Sequence, residues 1–108
     1  MIFVHTAEVE SARWRGAFPD ALLLGPTEAQ TYAFNADDIV WLLLAGDYHP
    51  IVTRVEQAGA RLVAMTLNES VAEARRLMSA GARGYIHALA APELLQQVQE
   101  VVLNSGLW

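Results

Sequence analysis

Leu62-Val63-Ala64-Met65-Thr66, then Ser70-Val71-Ala72-Glu73-Ala74-Arg75-Arg76-Leu77-Met78-Ser79-Ala80-Gly81, then Gly84-Tyr85-Ile86-His87: this stretch decides the architecture. The first run is apolar on consecutive residues, as in a strand covered on both faces. The second places a serine three residues before a glutamate, a capping-box spacing, and ends on a glycine, so a helix over 71–80 has both a start and a stop signal. Val71, Ala74, Leu77 and Met78 recur at helical spacing and are expected to bury one face, leaving Glu73, Arg75 and Arg76 in water. The third run returns to a strand. A strand, a helix and a strand in direct succession make the unit from which parallel sheets are built.

Outward from this unit the alternation continues. Ile2 to His5, Ala21 to Leu24 and Ile39 to Leu44 are further strand-like runs, bringing the strands to five, each expected to be covered on both faces. Pro92 suits a first helical position, Leu94, Leu95, Val98, Val101 and Val102 form a stripe, and Gly106 lies just past the end, which predicts a helix from Pro92 to Leu103. Another is expected from Pro50 to Ala58, stopped by Gly59 and burying Ile51, Val52 and Val55. Glu8 to Ala17 and Thr27 to Phe34 complete the set, the latter from Thr27 and Gln30 at capping-box spacing. Trp14 and Trp41 are expected in the core. With no repeat, low-complexity tract or linker, the expectation is one domain over residues 1–108: an α/β, doubly wound, five-stranded parallel sheet with helices on both faces.

Composition narrows the function. The chain has 108 residues, 54% of them hydrophobic and 18% charged, a balance that builds a packed core. Seven basic residues against twelve acidic ones give a net charge of -5, so this segment is not expected to bind nucleic acid. No apolar run approaches the roughly 20 residues that span a bilayer, and Met1 leads straight into Ile2-Phe3-Val4 without the parts of a secretory signal. A cytoplasmic location without membrane contact is the expectation. The absence of cysteine excludes disulfides, thiolate metal sites and a cysteine nucleophile.

Ser79-Ala80-Gly81-Ala82-Arg83-Gly84-Tyr85-Ile86-His87, preceded by the Leu62 to Thr66 strand and its capped helix, resembles a response-regulator receiver domain of the CheY-like, flavodoxin-like type. Gly81-Ala82-Arg83-Gly84-Tyr85-Ile86, followed by Pro92-Glu93-Leu94-Leu95 and Gly106-Leu107-Trp108, is similar to LuxR-type receivers, whose chains normally continue into a helix-turn-helix. The likeness is carried mainly by residues 60–108. It implies that DNA would be reached only through a helix-turn-helix beyond Trp108, and that the chain looks cut just before a linker. An aspartyl-phosphate mechanism needs a carboxylate nucleophile, an oxygen-ligated Mg²⁺ and a cation for the phosphoryl oxygens. In the resemblance the acidic pair falls on His5 and Thr6, with only Glu8 near; the phosphorylated aspartate falls on Leu43, and the lysine on Ala88. Thr66 and Tyr85 remain at the two switch positions. For Thr66 a local turn contact is the competing reading, and for Tyr85 a half-buried ring with its hydroxyl in water.

The resemblance therefore implies a phosphorylation-independent receiver that works by protein contact, as a homodimer, without catalysis, cofactor or metal, as the regulatory part of a transcription regulator in signal transduction. The expected contact surface runs over the helix from Val71, the strand from Gly84 and the helix from Pro92. Tyr85, His87, Leu89, Ala90, Leu94 and Trp108 are its named candidates, with Ala91 and Leu107 as further exposed apolar residues. A rival from another class uses His5, His49 and His87, which fall at or after the ends of the first, third and fifth strands. With Asp47 or Glu8 as oxygen donor they would make a small metal-binding or hydrolytic site. Asp37 and Asp38 are adjacent and read as turn residues, because neighbouring side chains on an extended chain point to opposite faces. Ser70 and Ser79 have no histidine in local reach, and Gly81 and Gly84 make no phosphate loop.

Overall fold

The computed structural model describes residues 1–5 and 11–108. Five parallel strands, β1 (Ile2–Val4), β2 (Leu22–Leu24), β3 (Ile39–Leu43), β4 (Arg61–Thr66) and β5 (Gly84–His87), lie in the order β2-β1-β3-β4-β5. Between and after them come α1 (Ala12–Ala17), α2 (Pro26–Ala29), α3 (His49–Gln57), α4 (Val71–Ser79) and α5 (Pro92–Leu103). The expected α/β class and doubly wound topology are thus found.

Strand alternation divides the core into two layers. Ile39, Trp41 and Leu43 point with Phe3, Val63, Met65 and Ile86 towards Trp14 and Ala17 of α1 and Leu95, Val98 and Val102 of α5. Val40 and Leu42 point with Ile2, Val4, Leu62 and Ala64 to the other side, where Ala29, Ile51, Val52, Val55 and Leu77 bring α2, α3 and α4. Both expected core tryptophans are fully buried. Phe3 is stacked between them, 5.0 Å from Trp14 and 5.3 Å from Trp41 between ring centroids. Among the described residues no helix is long and apolar enough to cross a membrane.

The structure corrects the sequence reading at several points. The expected helix from Thr27 to Phe34 is a single turn: Pro26 takes its first position, Gly25 is its N-cap, and the Gly25 N–H donates to Glu28 Oε1 at 3.2 Å. Without a longer apolar stripe there is nothing to extend it, and the chain leaves in turns through Gln30 and Thr31. α1 begins at Ala12, with the Ser11 hydroxyl accepting from the Arg13 N–H; the earlier part of its expected span lies outside the described residues. β2 is an edge strand, so Leu22 stays exposed and Leu23 half-covered where both faces were expected to be buried. Val71, expected on the buried face of α4, is 70% exposed, because this helix reaches the core only at Leu77, further along it.

The end of α5 is built differently from expectation as well. Gly106 does not take the left-handed position; Ser105 does, at φ 63°. The Gly106 N–H closes on the Val101 carbonyl at 2.8 Å and the Ser105 N–H on Val102 at 3.1 Å, a Schellman turn. Gly106 is needed there for space, since a Cβ would lie 2.7 Å from Val101 Cγ1 and 2.9 Å from its carbonyl oxygen. The turn carries Trp108 back to the start of β5, where its N–H donates to the Arg83 carbonyl at 2.9 Å.

Candidate functional site

In an open parallel sheet the crevice for a ligand lies beyond the strand carboxyl ends, where successive connections leave in opposite directions. Here that point lies between β1 and β3. A cavity of about 410 Å³ opens there, lined by Val4, His5, Leu42 and Leu43 at the strand ends, by Pro26 and Gln30, and by Ala45, Gly46, Asp47, Tyr48 and Ile51. Asp47 is the one carboxylate among these described lining residues. Leu43, at the position where the resemblance requires an aspartate, is 3% exposed and belongs to the core layer under α1 and α5. His5 is half-buried, and its N–H donates to the Leu24 carbonyl at 2.9 Å. Thr6 and Glu8 lie outside the described residues.

Ala88, at the lysine position, is fully buried. Its N–H donates to the Thr66 carbonyl at 2.8 Å, and its carbonyl accepts from Trp14 Nε1 at 2.9 Å. The guanidinium of the preceding residue, Arg13, donates to the Leu89 carbonyl. Two consecutive side chains of α1 therefore pin the loop that leaves β5. A buried indole N–H needs an acceptor, and this loop supplies it, so the loop is held by hydrogen bonds from α1 on the same face of the sheet.

Thr66 and Tyr85, which the resemblance would make switch positions, are held in different ways. Thr66 is buried, and its hydroxyl donates to the Asn68 carbonyl at 3.0 Å while accepting from the Asn68 N–H at 3.1 Å, a turn closed on itself. Tyr85 is half-buried, but its hydroxyl is not left to water. It accepts from the Ser70 N–H at 3.0 Å and donates to Glu73 Oε1 at 2.9 Å. Ser70 and Glu73 are the two ends of the capping box read from sequence, and the Ser70 hydroxyl does accept from the Glu73 N–H at 3.3 Å. The reciprocal bond, glutamate carboxylate to serine N–H, is bridged by the hydroxyl of a tyrosine from β5. Glu73, expected in water, is half-buried by this contact. Sequence showed the box but not the third partner, because Tyr85 is fifteen residues from Ser70 along the chain.

The remaining candidates are dispersed. His49 begins α3 with its ring tilted on Tyr48 at 4.8 Å between centroids, and His87 Nδ1 accepts from the Leu89 N–H at 3.1 Å. Among the described residues no group of three or more His, Cys, Asp or Glu side chains is placed to hold a metal ion, so the histidine set is not brought together. Leu89 is 45% and Trp108 42% exposed; Leu107 and Ala91 are exposed too, whereas Ala90 and Leu94 are half-buried against the α1–α5 layer. A shallow groove of about 250 Å³ runs along the start of α4, lined by Glu69, Ser70, Val71, Ala74 and Tyr85.

Comparison with solved structures identifies the architecture. A LuxR-family DNA-binding response regulator from Silicibacter pomeroyi superposes with a TM-score of 0.65 at 19% identity, over 98% of this chain and 93% of that one. A response regulator from Burkholderia pseudomallei, described with a phosphorylated aspartic acid, a calcium ion and citrate, gives 0.59 at 16% identity, over 96% of this chain and 72% of that one. This is the receiver fold. The same receiver-like arrangement recurs in a protein described as a CpaE2 pilus assembly protein from Sinorhizobium meliloti 1021, with a TM-score of 0.61 at 12% identity, over 93% of this chain and 98% of that one. No protein-family model matches the sequence, and no curated protein matches it significantly.

Proposed function

We propose that this chain is a phosphorylation-independent receiver domain, a single unit over residues 1–108, that acts by contacting other proteins as a regulatory module in signal transduction, without catalysing a reaction. The observation that carries the proposal is Leu43: an alkyl side chain, 3% exposed, closes the strand end at the position where phosphoryl transfer requires a carboxylate. Fully buried Ala88 supports it, because no cation can be presented from that position. The Burkholderia pseudomallei neighbour is described with a phosphorylated aspartate and a cation; this chain has neither the acceptor nor the lysine. The contact surface we assign is the α4–β5–α5 face with the adjoining C-terminal corner, where Val71, Leu89, Leu107 and Trp108 expose apolar area. A second copy of the chain is the partner proposed. The Silicibacter pomeroyi neighbour is described as DNA-binding; for this protein we place any DNA contact in a separate segment, because the present one is acidic.

Two measurements test this reading. Incubation with acetyl phosphate or phosphoramidate and Mg²⁺ is expected to leave the intact mass unchanged; an acid-stable, hydroxylamine-labile phosphoryl adduct would refute it. Sedimentation of the unmodified chain is expected to show a concentration-dependent dimer, weakened by Leu89→Glu. A monomer at every concentration would remove self-association from the proposal.

A further inference from the structure

The relay from the Ser70 N–H through the Tyr85 hydroxyl to the Glu73 carboxylate ties β5 to the first turn of α4. Each bond is of ordinary length, 3.0 and 2.9 Å, and the second is made to a carboxylate, the stronger kind of acceptor. Thr66 cannot replace Ser70 as the donor to this hydroxyl, since its one hydroxyl proton is given to the Asn68 carbonyl within its own turn. A phenol hydroxyl that accepts from one fixed group and donates to another has one favourable placement, and leaving it gives up the bond from the exposed Ser70 N–H at the helix start. The groove along α4 takes its shape from the same ring, because Tyr85 lines it together with Ser70, Val71 and Ala74.

We infer that Glu73 is the positioning residue of the α4–β5 face: through the Tyr85 hydroxyl it holds this surface in one standing arrangement, set by the capping of α4 and not by events at the mouth of the sheet. This deepens the proposed function and rests on it only in taking this face as a contact surface. In such a device the face is constitutively formed.

The test uses the full chain labelled with 3-fluorotyrosine, its three tyrosine signals assigned by Tyr32→Phe, Tyr48→Phe and Tyr85→Phe, together with amide exchange at Ser70 and Leu77. The unsubstituted chain is expected to give one Tyr85 resonance and a protected Ser70 amide. Glu73→Ala should move or split that resonance and speed Ser70 exchange about five- to tenfold, the equivalent of one lost hydrogen bond. Leu77, deeper in α4, should keep its protection, which separates loss of positioning from unwinding of the helix. Glu73→Gln retains an acceptor oxygen and should stay near the unsubstituted chain. The inference is overturned if Glu73→Ala leaves the Tyr85 resonance and Ser70 exchange unchanged, or if two Tyr85 resonances are already present before substitution. Sedimentation of the same samples decides the contact reading separately: a monomer with an intact relay sinks that reading and leaves this one standing.

Discussion

Replacing Leu43 by aspartate restores the residue type that a phosphoryl acceptor needs, at a site built for leucine. The side chain is 3% exposed, so removing it forfeits nearly all of a buried leucine's transfer energy, about 2–3 kcal/mol. A carboxyl without a partner in the same place adds about 1–3 kcal/mol. The total, about 3–6 kcal/mol, approaches the whole stability of a weakly stable domain. With urea slopes of about 1–3 kcal/mol per molar, the unfolding midpoint should fall by about 2 M. A carboxyl in apolar surroundings holds its proton more tightly folded than unfolded, so the stability tied to that proton is present at low pH and is lost as pH rises. Leu43→Asp should therefore be relatively worse at about pH 8 than at about pH 5, while Leu43→Asn should lack this dependence. Equilibrium urea unfolding of the three proteins at both pH values measures all of this. If Leu43→Asp came within about 1 kcal/mol of the parent at both pH values, the side chain at position 43 would have to be hydrated, and the burial of Leu43 on which the functional reading depends would be wrong.

The turn after α5 gives a paired expectation. Ser105→Gly should stabilise the fold by about 1 kcal/mol, because a left-handed φ of 63° favours glycine, whereas Gly106→Ala should cost about 1–3 kcal/mol by driving a methyl into Val101; thermal unfolding of both variants compares them, and equal signs would disprove the turn. Trp14→Phe keeps the ring stack on Phe3 but deletes the donor to the Ala88 carbonyl, and should cost about 1–3 kcal/mol. Faster amide exchange around Ala88 and Leu89 should accompany that loss, and unchanged exchange there would show that α1 does not hold the loop.

What the sequence reveals follows the strength of each physical signal. β3 and β4 are continuous apolar runs, and α5 has a proline start and a long stripe, so each was found within a residue or so of its observed bounds. α2 was overestimated because Thr27 and Gln30 imitate a box whose working residues are Gly25 and Glu28, one step earlier. Val71 was misplaced because helical spacing says which residues share a face, not how far the sheet extends beneath them. For the site, the leucine and alanine at positions 43 and 88 are legible directly, and the resemblance is what gives them meaning. The ties that define their surroundings are not legible: Trp14 reaches Ala88 across 74 positions, and Tyr85 reaches Glu73 from another element. Contacts of that kind are created by the topology, and no local pattern encodes them.

Of the three tryptophans, two are sealed around Phe3 and the third stands 42% exposed beside the start of β5. The molecule thus carries its own reporter. A soluble quencher can reach only the Trp108 indole, while Trp14 and Trp41 form an internal emitting pair that responds to loss of the core. Occlusion of the C-terminal corner and collapse of the fold therefore leave different optical traces, and any contact made at that corner can be read without a label.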